Sequence, residues 1–102
     1  MAETNDSVGR MLAVYESAIR SFVVGSSSAD DFEARFLALF KNDKYQVPGP
    51  EFDVLDSLFA DVDDYVADPD LRNEVGGIGE QELRERARSV YSRLYGSIDG
   101  QR

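Results

Sequence analysis

At 102 residues, with a formal net charge of −9 and 42% hydrophobic residues, the chain is sized for one small core and not for two. It has no cysteine and no histidine, which removes disulfides, the usual zinc and iron ligands and the commonest general base, and with them most enzyme classes. Six Phe and five Tyr are enough to fill a small helical core, so the charge does not imply global disorder.

Residues 1–7 carry no periodic pattern and are expected to be disordered. From Val8, apolar residues recur as Met11, Leu12, Tyr15, Ile19, Phe22 and Val23, with Arg10, Glu16 and Arg20 on the other side. That spacing predicts a first amphipathic helix, stopped by Gly25. Ser28 reads as the N-cap of a second helix, with Asp30, Asp31 and Glu33 in its first turn. Phe32, Phe36, Leu39 and Phe40 form its inner stripe. With no polar group placed to orient a ligand, these rings read as core and not as a ligand box.

Lys44 to Pro50, KYQVPGP, is a connecting loop, because two prolines around a glycine forbid helix or central strand. Tyr45 is either tucked onto the body or a contact residue. Pro50 suits the start of a third helix. Its inner stripe is Phe52, Leu55, Phe59, Val62 and Val66, and its expected end is near Val66 or Ala67, since Pro69 disfavours helical geometry at Asp68. The following DPDLRNEVGGIG is expected to be a turn-rich linker closed by Gly76, Gly77 and Gly79. A fourth helix is expected over Glu80 to Tyr95, with Leu83, Ala87, Val90, Tyr91, Leu94 and Ile98 inward. No β-alternating run occurs, so the pattern predicts an all-α antiparallel four-helix bundle over 8–98, a single domain with a tail at 99–102.

Glu51 to Glu74 holds nine acids against one base, while the rest of the chain holds eleven acids and ten bases. The acidity is therefore concentrated in the third helix and its exit. Such a surface repels nucleic acid and anionic membranes and attracts a basic protein. Enzymatic and metal readings of these acids fail in detail. A calcium loop begun at Asp61 would place Tyr65, Val66 and Arg72 where an oxygen ligand, a glycine and a glutamate are needed. A di-metal bundle needs inward Glu-x-x-His pairs. The glycines before Glu80 lack the Lys-Ser/Thr of a phosphate loop. Neither a cofactor nor a metal is expected, and the chain reads as non-catalytic. A polar, acidic N-terminus and the lack of an apolar run near the ~20 residues of a membrane span make the cytoplasm the expected compartment.

Three segments in order, FxxRFLALFKND (Phe32 to Asp43), LDSLFADVDDYVADPDLR (Leu55 to Arg72) and GEQELRERA (Gly79 to Ala87), resemble the colicin D-type immunity family, the bacterial colicin-like self-protective immunity proteins. The similarity spans about Tyr15 to Ile98, and LFxDVDxYxxDPxLR is its most specific string. The resemblance implies a small four-helix protein that binds a cognate ribonuclease toxin, in the type case an anticodon-loop tRNase, and covers its active site as a substrate mimic. By position in the matching string, Asp61, Asp63, Asp64, Asp68 and Asp70 would face the toxin's basic cleft, flanked by Asp56 and Glu74. Gly79 departs from the capping Asp or Ser expected before the fourth helix. The alternative is an acidic helical-bundle regulatory module that self-associates as a homodimer through leftover Phe and Tyr residues.

Overall fold

The rhythm of apolar residues translates into five helices in the computed structural model, which describes residues 2–96, with side chains from residue 7. They are α1 (Ala2–Val23), α2 (Ala29–Asn42), α3 (Pro50–Asp63), α4 (Pro69–Val75) and α5 (Glu80–Tyr95). Helix α1 begins before Val8, within the stretch expected to lack structure. The inward placing of Ile98 and the tail at 99–102 lie outside the described residues. Helix α1 packs on α5 and α2, and α3 packs on the other side of the same two.

Ser28 caps α2 as expected, its Oγ accepting from the Asp31 N–H at 3.1 Å, and satisfies one of the donors a helix start leaves open. The second helix then lays its rings along the core. Phe32 stacks on Phe22 of α1 at 4.4 Å between centroids, Phe36 lies 5.5 Å from Tyr15, and Phe40 stacks on Phe59 of α3 at 4.6 Å. The three phenylalanines are thus core, with Phe32 and Phe36 buried and Phe40 packed at the core's edge. Met11, Tyr15, Ile19, Leu55, Leu58, Val62, Leu83, Ala87, Val90 and Tyr91 are buried with them.

Buried tyrosine hydroxyls find partners at the rim of the core. Tyr15 donates to Asp43 at 2.7 Å and Tyr95 to the Leu12 carbonyl at 2.6 Å. Burial drives both phenols well above their ordinary pKa, so each stays a neutral donor. Arg84 joins α5 to the end of α1. Its Nε donates to the Phe22 carbonyl at 2.9 Å, and its guanidinium lies 4.5 Å from the centre of the Phe22 ring.

The exit of α3 departs from the sequence expectation. The helix ends at Asp63, before Val66, because the chain turns out to pair with the segment preceding α5. Val66 N–H donates to the Ile78 carbonyl at 2.9 Å and Ile78 N–H to the Asp64 carbonyl at 3.0 Å, around an isolated bridge between Tyr65 and Ile78. Between these arms the expected linker folds as α4. Asp68 caps it by accepting from the Asp70 N–H at 2.9 Å, Pro69 occupies its first turn, and Gly76 ends it at φ +76°, a left-handed cap. The expected four-helix bundle is therefore corrected to an all-helical domain of five helices, with no strand among the described residues.

Gly77 is required by close approach. A Cβ there would sit 2.6 Å from the Asp64 carbonyl oxygen and 2.6 Å from a Val66 methyl. Gly77→Ala is expected to cost about 1–3 kcal/mol, the usual penalty of forced overpacking, read as a lower urea midpoint. Unchanged stability would mean that the paired arms do not hold each other. Gly79 gives α5 no side-chain cap. Its missing Cβ leaves room for the Arg72 guanidinium, whose central carbon would lie 2.9 Å from a side chain there.

Candidate functional site

The acids singled out from the sequence fall on two elements. Asp56, Asp61 and Asp63 lie on α3, Asp64 caps its C-terminus, Asp68 is the N-cap of α4, and Asp70 and Glu74 lie on α4 itself. At 100° per residue, Asp56 and Asp63 share one flank of α3, roughly 20° apart, whereas Asp61 sits roughly 160° round from Asp63, on the other edge. The α3 acids therefore make an arc and not one straight row.

The two edges differ in their neighbours. On the α5 edge, Arg86 donates to Asp61 at 2.7 Å and to Glu82 at 2.7 Å, and only 18% of the Asp61 side chain is exposed. These two hydrogen bonds, the one to Glu82 first, hold the guanidinium above its ordinary pKa. Asp61 is thus paired within the chain. An exposed pair of this kind contributes about 0–1 kcal/mol, so its main consequence is that the carboxylate is already occupied.

The α2 edge is negative instead. Glu33 there is held above the usual carboxylate range, first by partial burial and then by the charges of Asp30 and Asp63. Tyr65 reaches across to donate to Asp30 at 2.9 Å. Its phenol is pushed up to about 12, first by burial, then by that hydrogen bond and by the charges of Asp30, Glu80 and Glu33. The fold thus adds Asp30 and Glu33 to the acids named from the sequence, together with Glu80, which Arg84 pairs at 3.0 Å, by folding three helix ends together. Sequence order suggested for each only a helix-start acid that complements the dipole; the link to Asp63 exists only in three dimensions.

The raised pKa of Glu33 has a definite sign for stability. The folded chain holds this proton more tightly than the unfolded one, so ionisation opposes folding. That penalty is absent below the ordinary glutamate range, around pH 4, and develops as pH rises through the raised value. Glu33→Gln is expected to match the parent below about pH 4 and to equal or exceed its stability near pH 7, measured by urea unfolding at both pH values. A variant less stable at neutral pH would contradict this.

The end of α3 breaks the rule that the other long helices follow. Arg20, Lys41 and Arg93 stand in the last turns of α1, α2 and α5, where cations meet the negative end of the helix dipole. The last turn of α3 has no base and carries Asp61 and Asp63, with Asp64 as its cap. Each acid at a helix C-terminus costs on the order of 0.3–1 kcal/mol. Asp61 is relieved by Arg86, whereas Asp63 and Asp64 are exposed and form no ion pair among the described residues. On α4, Arg72 is no counter-ion for Asp68 or Asp70 either. It donates to the Val66 and Ala67 carbonyls at 3.0 and 3.1 Å.

No group of acids able to hold a metal ion occurs among the described residues. No helix among them is long and apolar enough to cross a membrane. Comparison with curated proteins and with solved structures found no match. The family profile described as bacterial self-protective colicin-like immunity matches residues 11–94, a span that takes in the core stripes of all four long helices, the α3 exit and α4. The chain belongs to the bacterial self-protective colicin-like immunity family.

Proposed function

We propose that this protein acts in the cytoplasm as the inhibitor of a basic ribonuclease toxin, covering the toxin's RNA-binding cleft with carboxylates that stand in for RNA phosphates. The observation that carries this reading is the inverted electrostatics at the end of α3, where Asp63 and Asp64 oppose the helix dipole and form no ion pair among the described residues. A chain keeps a locally unfavourable arrangement when something outside it supplies the compensation. A lysine- and arginine-lined groove does so, and it gains fast, steered association in return.

The contact set on this reading is Asp56, Asp63, Asp64, Asp68, Asp70 and Glu74, extended by Asp30 and Glu33. Asp61 stays in the set as a carboxylate that Arg86 must share or release. Family membership supports a toxin as the partner, and the chemistry of the face supports a cationic one.

The test uses the product of the neighbouring open reading frame, which on this reading is expected to carry a basic nuclease domain. Stoichiometric addition of this protein is expected to abolish RNA cleavage, and excess uncleavable RNA is expected to compete with it for the domain. A tight complex that still cleaves RNA would contradict mimicry, because the contact would then lie away from the cleft.

A further inference from the structure

Helix α4 is held in place without burying anything. A helix of seven residues is far too short to persist by itself, and this one contributes no buried residue. It is fixed instead by polar hardware: the Asp68 cap, the Gly76 cap closed on the Arg72 carbonyl, the Arg72 side chain on the Val66 and Ala67 carbonyls, and the paired arms at Tyr65 and Ile78. What this hardware holds out is Leu71, 47% exposed, and Val75, 62% exposed. They are four residues apart and so lie on one face, one turn above the other.

We propose that Leu71 and Val75 form the apolar anchor of the toxin contact, entering an apolar socket that is rimmed by lysine or arginine on the basic partner. The inference rests on the inhibitor reading above and adds the chemistry of the partner's surface. Charge decides the occupant. Asp70 and Glu74, a turn apart on the adjoining face of α4, are exposed and form no ion pair among the described residues. An apolar centre with a charged border is the anatomy of a specific protein interface, whose energy is concentrated in a few central anchors. The acidic border turns away anionic lipid. It also opposes a symmetric contact with a second copy, which would set acids of one chain against those of the other.

The anchor and the acids act on different steps. Charge governs encounter, whereas a desolvated apolar contact governs how long the complex lasts. The experiment is a kinetic binding assay of the full chain against the neighbouring nuclease domain, comparing the parent with L71A/V75A. The double variant is expected to dissociate at least about 10-fold faster and to associate within about 2-fold of the parent, with an unchanged thermal midpoint. The single variant Val75→Ala, at the more exposed position, serves the same purpose where the double variant loses its fold. Unchanged dissociation, with inhibition by the parent intact, overturns the anchor and leaves the inhibitor reading standing. Failure of the parent to bind overturns both. A second copy would dock in the groove of Val14, Leu39 and Tyr45 beside Arg35 and Lys44. A parent that sediments as a dimer and a double variant that sediments as a monomer would assign the face to that contact and overturn the proposal.

Discussion

Replacing Asp63 and Asp64 together by asparagine is expected to make the protein more stable and a worse inhibitor. Both residues oppose the α3 dipole without a cation among the described residues, and Asp63 also raises the cost of ionising Glu33. Relief of two C-terminal acids contributes about 0.3–1 kcal/mol each, so D63N/D64N should show a higher urea midpoint with an unaltered slope. The same change removes two of the charges proposed to steer the toxin, and association at low salt should slow by about 10-fold or more. Opposite signs in the two measurements separate a functional pair of acids from a structural one. A loss of stability would mean that the carboxylates are doing structural work. Stability gained with unchanged association would place the contact elsewhere.

Phe36→Ala is expected to come close to unfolding the chain. The ring is fully buried and sits 5.5 Å from Tyr15, 5.5 Å from Phe32 and 5.9 Å from Phe40, so it joins α1 to the middle of α2. Truncating a buried phenylalanine costs about 3–5 kcal/mol, part lost transfer energy and part cavity. A small domain has roughly 5–15 kcal/mol in all, and each kcal/mol lowers the melting temperature of a chain this size by about 4–8 °C. A fall of roughly 15 °C or more in thermal unfolding is the expected result. A loss under about 1 kcal/mol would show that the stacked rings are not the core's keystone. Together with L71A/V75A, which should leave stability alone, Phe36→Ala separates apolar side chains that hold the fold from those held out for a partner.

The long helices were legible because each alternates wide apolar stripes with charge and is bounded by strong punctuation: Ser28 and Gly25 around the first turn, Pro48 and Pro50 in the loop, Gly79 before α5. Of the described residues that periodicity places inward in α1, α2 and α5, the fold buries all but half-buried Leu12, Leu39, Phe40 and Leu94. What periodicity could not show is where a helix yields to a non-local pairing. Pro69 reads as a stop when looking back along α3. Looking forward, Asp68-Pro69 followed by Gly76 is a cap, a first-turn proline and a left-handed end, the full set of marks for a short helix. Seen only as an exit from α3, the string Asp68 to Gly76 conceals α4.

The candidate face was legible as charge and not as geometry. Counting acids located the segment, but only the fold shows that Asp61 is taken by Arg86, that Glu33 and Asp30 border Asp63, and that Leu71 and Val75 stand between α4's acids and its Arg72 clamp. Those relations depend on helix-to-helix contacts far apart in sequence, such as the 35 residues between Tyr65 and Asp30.

The most direct test of the account is the association rate of this protein, as a function of salt, with the nuclease domain that the proposal expects the neighbouring open reading frame to encode. If exposed carboxylates on α3 and α4 meet a cationic cleft, the rate should fall steeply between about 0.01 and 0.5 M monovalent salt, as the screening length shrinks from about 30 Å to a few ångströms. D63N/D64N should show a shallower slope. A rate that does not change over that range, or an identical slope in the variant, would contradict the claim that these acids recognise the toxin.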